Sequence, residues 1–459
     1  MPLTDHHKHL LEKAARRHQN GNTASAIHLY KRVLKQIPDD ASVLSNYGAA
    51  LNDQFDYRSA LTVFARAYEI APETTGLLNN YANAHLGLGH FGDAIALFKQ
   101  ALELSPDDPV LLKNLGNAYH QSGDFTAAIR CFDQTLENDV DNAQVHCLKG
   151  FSLAALGRLD ECWKAYQWRW KIPDAPPPRP YTVPIWDGSD PGGKSLIIWG
   201  EQGIGDEILF AGLIHDVLKL NGKVAVECEP RLKPLFERAF PGISVIARRQ
   251  EKTADNFHFQ IPAGDLPALF RPSLSSFTAN TGYLKSDPDK TAALRRTYLD
   301  QTGAERLIGI SWLGGSDSAR SQRSLELADW KDFLQTFADD TAFISLQYGD
   351  VASEINQFNK TWKTPVLFDE SVDPLADMDG AACQTAAMDH IITVANATAH
   401  LAGALNVKGF VLHPANADWI WLLQNEKSPW YPSLRHIRQP DPGQWSGIFD
   451  TLVCEFSNC

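Results

Sequence analysis

The stretch WGEQGIGDEILFAGL at residues 199–213 decides the fold of the second part of this chain. An apolar run, SLIIW at 195–199, leads into a turn crowded with glycines, and an amphipathic segment follows. This order predicts a β-strand, a tight turn and an α-helix, the repeating unit of a parallel sheet. Ligands of open α/β sheets bind beyond the carboxyl ends of the strands, so the turn is a candidate site. Its Asp206 either caps the helix or holds a carboxylate at the rim of a cleft.

The same alternation of strand and helix patterns continues to the end of the chain. Further strands are predicted at KVAVEC (223–228), ISVIA (243–247), LIGISW (307–312), AFISLQ (342–347), HIITVA (390–395) and KGFVLH (408–413). Helices are predicted at 206–220 and 231–239, and residues 250–303 are expected to be rich in loops. We therefore predict two Rossmann-like domains, 194–303 and 304–459, that face each other across a cleft.

The first part of the chain repeats itself every 34 residues. The repeating slots hold prolines (Pro38, Pro72, Pro106), alanines (Ala26, Ala60, Ala94, Ala128) and aromatic residues (Tyr30, Phe64, Phe98, Phe132, Tyr166). Glycine or alanine fills a further slot, as at Gly48, Ala82 and Gly116, where two helices are expected to approach closely under the aromatic ring. The period predicts a tetratricopeptide-repeat (TPR) solenoid over residues 1–172, with units at 7–40, 41–74, 75–108 and 109–142 and a partial fifth from 143. A linker rich in proline and glycine, 173–193, is expected to be extended, with YQWRW (166–170) packed on the region that follows.

Asparagines recur at the same period on the first helix of successive repeats. They are Asn46, Asn80 and Asn114, with Asn83 and Asn117 one turn further along the same face. A ladder of amides can grip an extended peptide backbone whatever its side chains, because each amide both donates and accepts. The alternative is that asparagine is common at these positions in any repeat of this kind.

Composition excludes several function classes. The 459 residues carry a formal net charge of −13, which disfavours binding to nucleic acid or to an anionic membrane surface. No run approaches the length of a membrane span, and the first 17 residues lack the apolar region of a secretory signal. The seven cysteines form no CxxC pair or metal-like cluster, so reduced thiols and a cytoplasmic location are expected.

Three further stretches fall at the predicted carboxyl edge of the second sheet. SWLGGSDSARSQRSLEL (311–327) offers Gly314, Gly315, Arg320 and Arg323 to a diphosphate, and ITVANATAHLAGAL (392–405) offers Asn396, Thr398 and His400 at a helix start. The third stretch, 411–439, begins with His413 at a strand end. The alternatives are a solvated loop for the arginines, a capped helix for Asn396, and a core contact for His400. We expect Trp419, Trp421 and Trp430 to pack in the core or between domains.

Taken together, GEQGIGD, GISWLGG…RS, SLQYGD, TAHLAGAL and DWIWLL…SPWYPS, in this order behind repeats, resemble bacterial TPR proteins with a heptosyltransferase-like glycosyltransferase domain. The resemblance implies a GT-B fold, with the nucleotide-sugar mainly on the second Rossmann domain and the acceptor mainly on the first. It places the general base on Asp206, the acceptor-side rim on Gln202, Gly203 and Gly205, and donor contacts on Gln347 and the residues named above. Ala395, Asn396 and Ala397 depart from the Asp-Thr-Gly of heptosyltransferases, whereas His400 is kept. The phosphate-contacting lysine of heptosyltransferases has no clear counterpart.

The leading hypothesis is a metal-independent glycosyltransferase without a cofactor, which moves a sugar from a nucleotide-activated donor to Ser or Thr of a protein bound by the repeats. The family that the chain resembles includes flagellin glycosyltransferases with such repeats, so the resemblance implies a flagellin-like acceptor. One alternative is a non-catalytic adaptor with a degenerate transferase domain, which the change at Ala395 favours. A further alternative is transfer to a saccharide or a lipid-linked acceptor.

Overall fold

A computed structural model describes residues 4–173, 175–248, 256–277, 282–314, 324–362, 365–415, 419–422, 427–440 and 444–457. The chain divides into two compact units, Met1–Ser152 and Leu153–Cys459. The sequence placed the end of the solenoid at residue 172 instead. The difference arises because the segment after residue 152 has its anchors in the second unit, where the indole of Trp163 donates to the carbonyl of Arg271 at 2.7 Å.

The first unit is built from paired antiparallel helices that match the predicted repeats. Its helices are α1 (Asp5–Gln19), α2 (Thr23–Leu34), α3 (Ala41–Asp53), α4 (Tyr57–Ile70), α5 (Thr75–Gly87), α6 (Phe91–Leu104), α7 (Pro109–Ser122), α8 (Phe125–Asn138) and the start of α9 (Ala143–Ala155). Aspartates at several helix starts explain where these helices begin. The side chains of Asp40, Asp56, Asp108 and Asp124 accept hydrogen bonds from backbone amides of the first turn.

The predicted small-residue slots are the points of closest approach within the repeats. A Cβ atom added at Gly48 would lie 2.5 Å from the ring of Phe64, and one added at Gly116 would lie 2.6 Å from the ring of Phe132. Both rings are fully buried. The packing expected from the 34-residue period is therefore confirmed.

The second unit contains two wholly parallel sheets. The first has the order β3-β2-β1-β4 and the second the order β10-β9-β8-β5-β6-β7. The strands are β1 (Ser195–Trp199), β2 (Lys223–Cys228), β3 (Ser244–Ala247), β4 (Phe259–Pro262), β5 (Arg306–Ser311), β6 (Thr341–Ser345), β7 (Val366–Leu367), β8 (His390–Val394), β9 (Gly409–His413) and β10 (Leu434–Arg438).

Within the described residues, helices connect most of the successive strands, as parallel pairing requires, and one helix precedes β1. In chain order they are α10 (Leu159–Tyr166), α11 (Ile204–Ala211), α12 (Ile214–Val217), α13 (Lys233–Ala239), α14 (Leu266–Phe270), α15 (Pro288–Thr302), α16 (Lys331–Thr336), α17 (Ala352–Thr361), α18 (Met378–Ala386), α19 (Ala397–Ala404) and α20 (Ser446–Ser457). The core of the second sheet is aromatic and aliphatic, with Trp312 and Trp330 fully buried in it.

The prediction of a loop-rich interval at 250–303 was wrong, since its described residues include β4, α14 and the fifteen-residue helix α15. Short strands β7 and β10 were also missed. The strand β4 is short and ends on a proline, and β10 reads LRHIR, so neither shows the continuous apolar run by which the other strands were recognised.

The predicted linker is extended and pinned along the first sheet. Its Ile185 forms a parallel bridge with Gln260, whose side-chain amide donates to the carbonyls of Tyr181 and Val183. The buried carboxylate of Glu227 accepts from the hydroxyl of Tyr181 at 2.9 Å. These bonds hold the segment against β4 and β2.

Candidate functional site

The starts of two helices, one from each sheet, meet in the second unit. Helix α11 follows β1 and helix α19 follows β8, so each start lies at the carboxyl edge of its sheet. A Cβ atom added at Gly205 would lie 3.0 Å from Cδ2 of His400 and 3.8 Å from Cα of Ala397. A glycine at position 205 therefore lets the two turns approach this closely.

Asp206 lies beside this contact, in the first turn of α11. It is not the N-cap, as one interpretation of the sequence had it, because Gly203 takes that position. The Asp206 carboxylate instead accepts from the backbone amide of Gly203 at 3.1 Å. Its negative charge helps to raise the pKa values of Tyr166 and Tyr431, although burial is the largest cause of both shifts. Asp206, which follows β1 of the first sheet, thus lies close enough to Tyr431 to affect its pKa. Tyr431 in turn contacts His400 of α19.

Two other acidic residues, Glu201 and Glu207, anchor the glycine turn that precedes Asp206. The buried carboxylate of Glu201 accepts from Arg169 at 2.7 and 2.8 Å and from the amide of Gly264 at 2.9 Å. Glu207 forms an ion pair with Arg248 and accepts from the amide of Glu229. These anchors were not predicted from the sequence, although charged residues in an otherwise apolar stretch were a signal. Arg169 also confirms that YQWRW packs on the region that follows it.

The exposed Gln202 adopts a left-handed backbone conformation with φ at 59°. Only glycine and asparagine adopt this region at little cost, so the turn is locally strained. Local strain of this kind is often found at functional sites. It lies directly before the N-cap Gly203, on the predicted acceptor-side rim.

His400 is nearly buried, with 9% of its surface exposed. Its Nδ1 forms a hydrogen bond with the hydroxyl of Tyr431 at 3.0 Å, and its ring stacks on Trp421 at 4.8 Å. Burial lowers the pKa of His400 to about 4. The imidazole is therefore neutral at physiological pH, so it offers a phosphate no positive charge.

Asn396 and Gln347 hold the exit of β5 in place. Asn396 caps α19 by accepting from the amides of Thr398 and Ala399, and it donates to the hydroxyl of Ser311 and the carbonyl of Leu313. The side-chain oxygen of Gln347 accepts from Ser311 and from the amides of Trp312 and Leu313 at 2.8–2.9 Å. Both side-chain amides are engaged within the protein, and Thr398 is buried.

The remaining donor-side predictions have different outcomes. His413 is fully buried and shares a hydrogen bond of 2.8 Å with His436. The amide of Gly314 donates to the hydroxyl of Ser324. Gly315, Arg320 and Arg323 lie outside the described residues.

Arg438 also lies at this edge, although the sequence did not predict it as a site residue. It ends β10 directly opposite His413, at the same carboxyl edge as the start of α19. Burial lowers the pKa of its guanidinium to about 10. Within the part of the chain that the structure describes, no carboxylate or hydrogen-bond partner meets this cation. A desolvated, unpaired arginine is well suited to receive an anion.

The three tryptophans predicted to pack do so. Trp419 contacts Trp163 and Tyr166, Trp421 lies on His400, and Trp430 meets the edges of Phe210 and Phe277.

The asparagine ladder of the first unit divides into two groups. Asn114 donates to Asn79 at 2.8 Å and Asn79 donates to Asn80, so part of the ladder is bonded to itself. Asn46, Asn83 and Asn117 are at least partly exposed, and their side chains form no hydrogen bond within the described ranges. These three amides are available to a bound peptide.

Comparison with known proteins identifies the kind of repeat in the first unit. Tetratricopeptide-repeat family models match residues 39–107 and 85–150, so the chain carries tetratricopeptide repeats, followed by an α/β region with parallel sheets. None of the described helices is both long and apolar enough to cross a membrane.

Among curated proteins, "Protein FlbA" of Caulobacter vibrioides is 32% identical over 327 residues, which cover 66% of this chain and 53% of FlbA. The chain thus spans about half the length of this relative. Solved structures that match include MamA (residues 41 to the end) from Desulfovibrio magneticus RS-1, with 20% identity, a TM-score of 0.33, and coverage of 37% of this chain and 95% of that one. TTC0263, a thermophilic TPR protein of Thermus thermophilus, matches with 20% identity, a TM-score of 0.33, and coverage of 37% and 92%.

Proposed function

We propose that the protein is a cytoplasmic glycosyltransferase of the GT-B type. It transfers a sugar from a nucleotide-activated donor to a Ser or Thr of a protein, of the flagellin type, bound by the TPR groove. The observation that carries the proposal is the contact between the two strand-to-helix turns, with Asp206 beside it. Transfer needs two substrates held side by side, and the approach of groups from both sheets at this contact supports the proposal.

Asp206 is the proposed general base. Its carboxylate accepts the proton of the acceptor hydroxyl while the hydroxyl oxygen forms a bond to the anomeric carbon of the sugar. The bond between that carbon and the phosphate oxygen breaks, and the nucleotide departs with the bonding electrons. The hydrogen bond from Gly203 fixes the direction of the carboxylate. The buried Glu201 and Glu207 hold the turn rigid.

Arg438 is the proposed partner of the departing phosphate. It supplies a positive charge at the carboxyl edge of β10, in a partly desolvated position where an ionic contact is stronger than in water. Gly314, Gly315, Arg320 and Arg323 belong to the same proposed phosphate site. Asn396, Gln347, Thr398, His400 and His413 act as positioning residues, since their bonds shape the edge from within. A metal ion is not part of this proposed reaction.

The acceptor is proposed to lie along the TPR groove. Asn46, Asn83 and Asn117 offer amides that can pair with the backbone of an extended segment, independently of its sequence. Asn80 and Asn114, which are linked through Asn79, shape the groove between them.

Binding and transfer can be tested separately. Calorimetric titration with a panel of nucleotide-sugars should show one donor that binds wild type and Asp206→Asn alike. Transfer to the captured acceptor should be lost in the variant. Near-normal transfer by Asp206→Asn would refute the assignment of the base.

A non-catalytic adaptor is the second candidate. It is favoured by the internal engagement of Asn396, His400 and His413, which leaves fewer polar groups for a donor than the resemblance implies. An adaptor would bind its partner through the repeats and show no thermal stabilisation by any nucleotide-sugar, CMP- and UDP-linked ones included.

A further inference from the structure

Two histidines and an aspartate converge in the third helical pair of the first unit. His85 lies near the end of α5, His90 is the N-cap of α6, and Asp93 lies in the first turn of α6. One ligand atom from each of the three lies within 4.8 Å of the others. The side chains come from one helical hairpin.

The turn between the helices brings the two imidazoles together. The amide of His90 donates to the carbonyl of His85 at 2.9 Å, and Gly89 adopts φ of 76° to complete the reversal. The ring centroids of His85 and His90 are 5.6 Å apart. The backbone hydrogen bond and the left-handed Gly89 both lie within the turn, so the turn alone brings the two rings together.

Neither of the two imidazoles is engaged in a hydrogen bond that would explain its position. His90 makes no side-chain capping bond, although it is the N-cap of α6. Nδ1 of His85 is buried without a hydrogen-bond partner in the described chain, and it lies 3.6 Å from the Asp93 carboxylate. Ligand atoms around a tetrahedral Zn²⁺ are separated by about 3.3 Å, so small rotations would bring this group to coordination distance.

The repeat itself shows that the fold does not require these residues. At the His85 slot the neighbouring repeats have Leu51 and Tyr119, and at the His90 slot they have Asp56 and Asp124, which cap their helices. The slot of Asp93 is filled by Ser59 and Ala127 in those repeats. Only the third of the predicted units combines three metal-binding side chains on this shared backbone.

We propose that His85, His90 and Asp93 form a binding site for a divalent transition metal, with Zn²⁺ as the best-matched ion. Two imidazole nitrogens and one carboxylate oxygen are a donor set that suits Zn²⁺ in preference to Mg²⁺ or Ca²⁺. The three ligands leave a coordination position for water. Bound metal joins the end of α5 to the start of α6 and stabilises the middle of the repeat array. The site lies in the first unit and is independent of the proposed transfer reaction.

The test uses the full chain after treatment with a chelator and dialysis. Zn²⁺ is titrated by calorimetry, and Co²⁺ is used as a spectroscopic probe whose absorption reports nitrogen and oxygen coordination. His90→Asn keeps a good capping residue but removes the imidazole, and His85→Leu installs the residue found at this slot in the second repeat. The matched control, His6→Gln with His9→Gln, removes two exposed histidines three residues apart on α1.

Wild type and the control should bind one Zn²⁺ per chain with the same affinity. Each site variant should bind Zn²⁺ at least roughly tenfold more weakly. Loss of a group that only hydrogen-bonds to a metal ligand already lowers metal affinity by about this factor, and loss of the ligand itself should lower it at least as much. Zn²⁺ should also raise the midpoint of thermal unfolding followed by far-UV circular dichroism, in wild type and not in His90→Asn. Absence of stoichiometric binding, or equal affinity in wild type and both site variants, would overturn the proposal.

Discussion

At the scale of single residues, the candidate site is defined by one carboxylate and one cation at the edges of two sheets. Asp206 is oriented by the amide of Gly203, and Arg438 ends β10 without a carboxylate partner among the described residues. His400, which approaches Gly205 at the start of α11, is buried and neutral. The charged groups at the edges carry the proposed chemistry, while the neutral histidine packs at the contact between the two turns.

Asp206→Asn should abolish sugar transfer while leaving the fold and donor binding intact. The amide oxygen of Asn can still accept from Gly203, but it cannot take up the acceptor proton. A loss of roughly 100-fold or more in the transfer rate is expected, measured by mass spectrometry of the acceptor over time. Unchanged circular dichroism is the control for folding, and a rate within a fewfold of wild type would contradict the role.

Arg438→Gln should weaken donor binding without destabilising the protein. An unpaired, partly buried guanidinium contributes little to stability, yet it is the proposed contact of a phosphate. Arg435→Gln, three residues earlier on β10, is the matched control because Arg435 is paired with Glu455 instead. Calorimetry should show roughly tenfold or greater loss of nucleotide affinity for Arg438→Gln alone. Equal affinities for the two variants would exclude Arg438 from the site.

At the scale of secondary-structure elements, the sequence predicted correctly the helices of the 34-residue repeats and the strands with unbroken apolar runs. The helical pairs were predictable because buried alanines and aromatic residues recur every 34 residues, as Ala60 and Phe64 show. The strand β1 was predictable with its exact bounds from an unbroken apolar run. The short strand β4 and the mixed strand β10 were not, because their sheet partners rather than their own composition stabilise them.

The same contrast holds for the site. The position of Asp206 after β1 followed from strand and turn signals within a few residues. The placement of Arg438 depended on recognising β10 and on its register with β9, which pairs Arg438 with His413. The internal bonds of Asn396 and Gln347 join segments far apart in the chain, so local patterns could not reveal them.

Gly48→Ala should destabilise the first unit. The added methyl group would meet the ring of Phe64 at 2.5 Å, inside a closely packed helical pair. Overpacking of this kind costs about 1–3 kcal/mol, and thermal unfolding followed by far-UV circular dichroism measures it. Gly76→Ala is the matched control, since a Cβ there meets nothing within 4 Å. It should be neutral or slightly stabilising, and equal destabilisation by both changes would contradict the packing argument.

At the scale of the whole molecule, the two units can be observed separately. All twelve tryptophans lie between residues 163 and 445, within the second unit, so their fluorescence reports on that unit. Far-UV circular dichroism reports mainly on helices and therefore includes the first unit.

Acid should destabilise the second unit below about pH 6.5. Burial lowers the pKa values of His400 and His436 to about 4 in the folded state. Between this value and the unfolded value near 6.5, only the unfolded chain binds these protons. The stabilisation is therefore complete above about pH 6.5 and is lost as the pH falls toward 4, by about 2 kcal/mol per histidine at pH 5.

Urea unfolding followed by tryptophan fluorescence at about pH 7.5 and about pH 5 measures this dependence. His436→Gln should reduce the difference between the two free energies of unfolding by about 2 kcal/mol, the share of this one histidine. His9→Gln, on the exposed face of α1, should leave the difference unchanged. The same pH dependence in His436→Gln and wild type would show that His436 is not held neutral by the fold.

The central claim is that the second unit transfers a sugar to a protein that the repeats bind. The most direct measurement is the intact mass of the protein captured through the repeats from the cells that make this chain, with the wild-type or the Asp206→Asn allele in place. We predict a captured protein whose mass exceeds that of its polypeptide by one or more sugar residues with the wild-type allele, and by none with the variant. The same captured mass with both alleles would contradict the account.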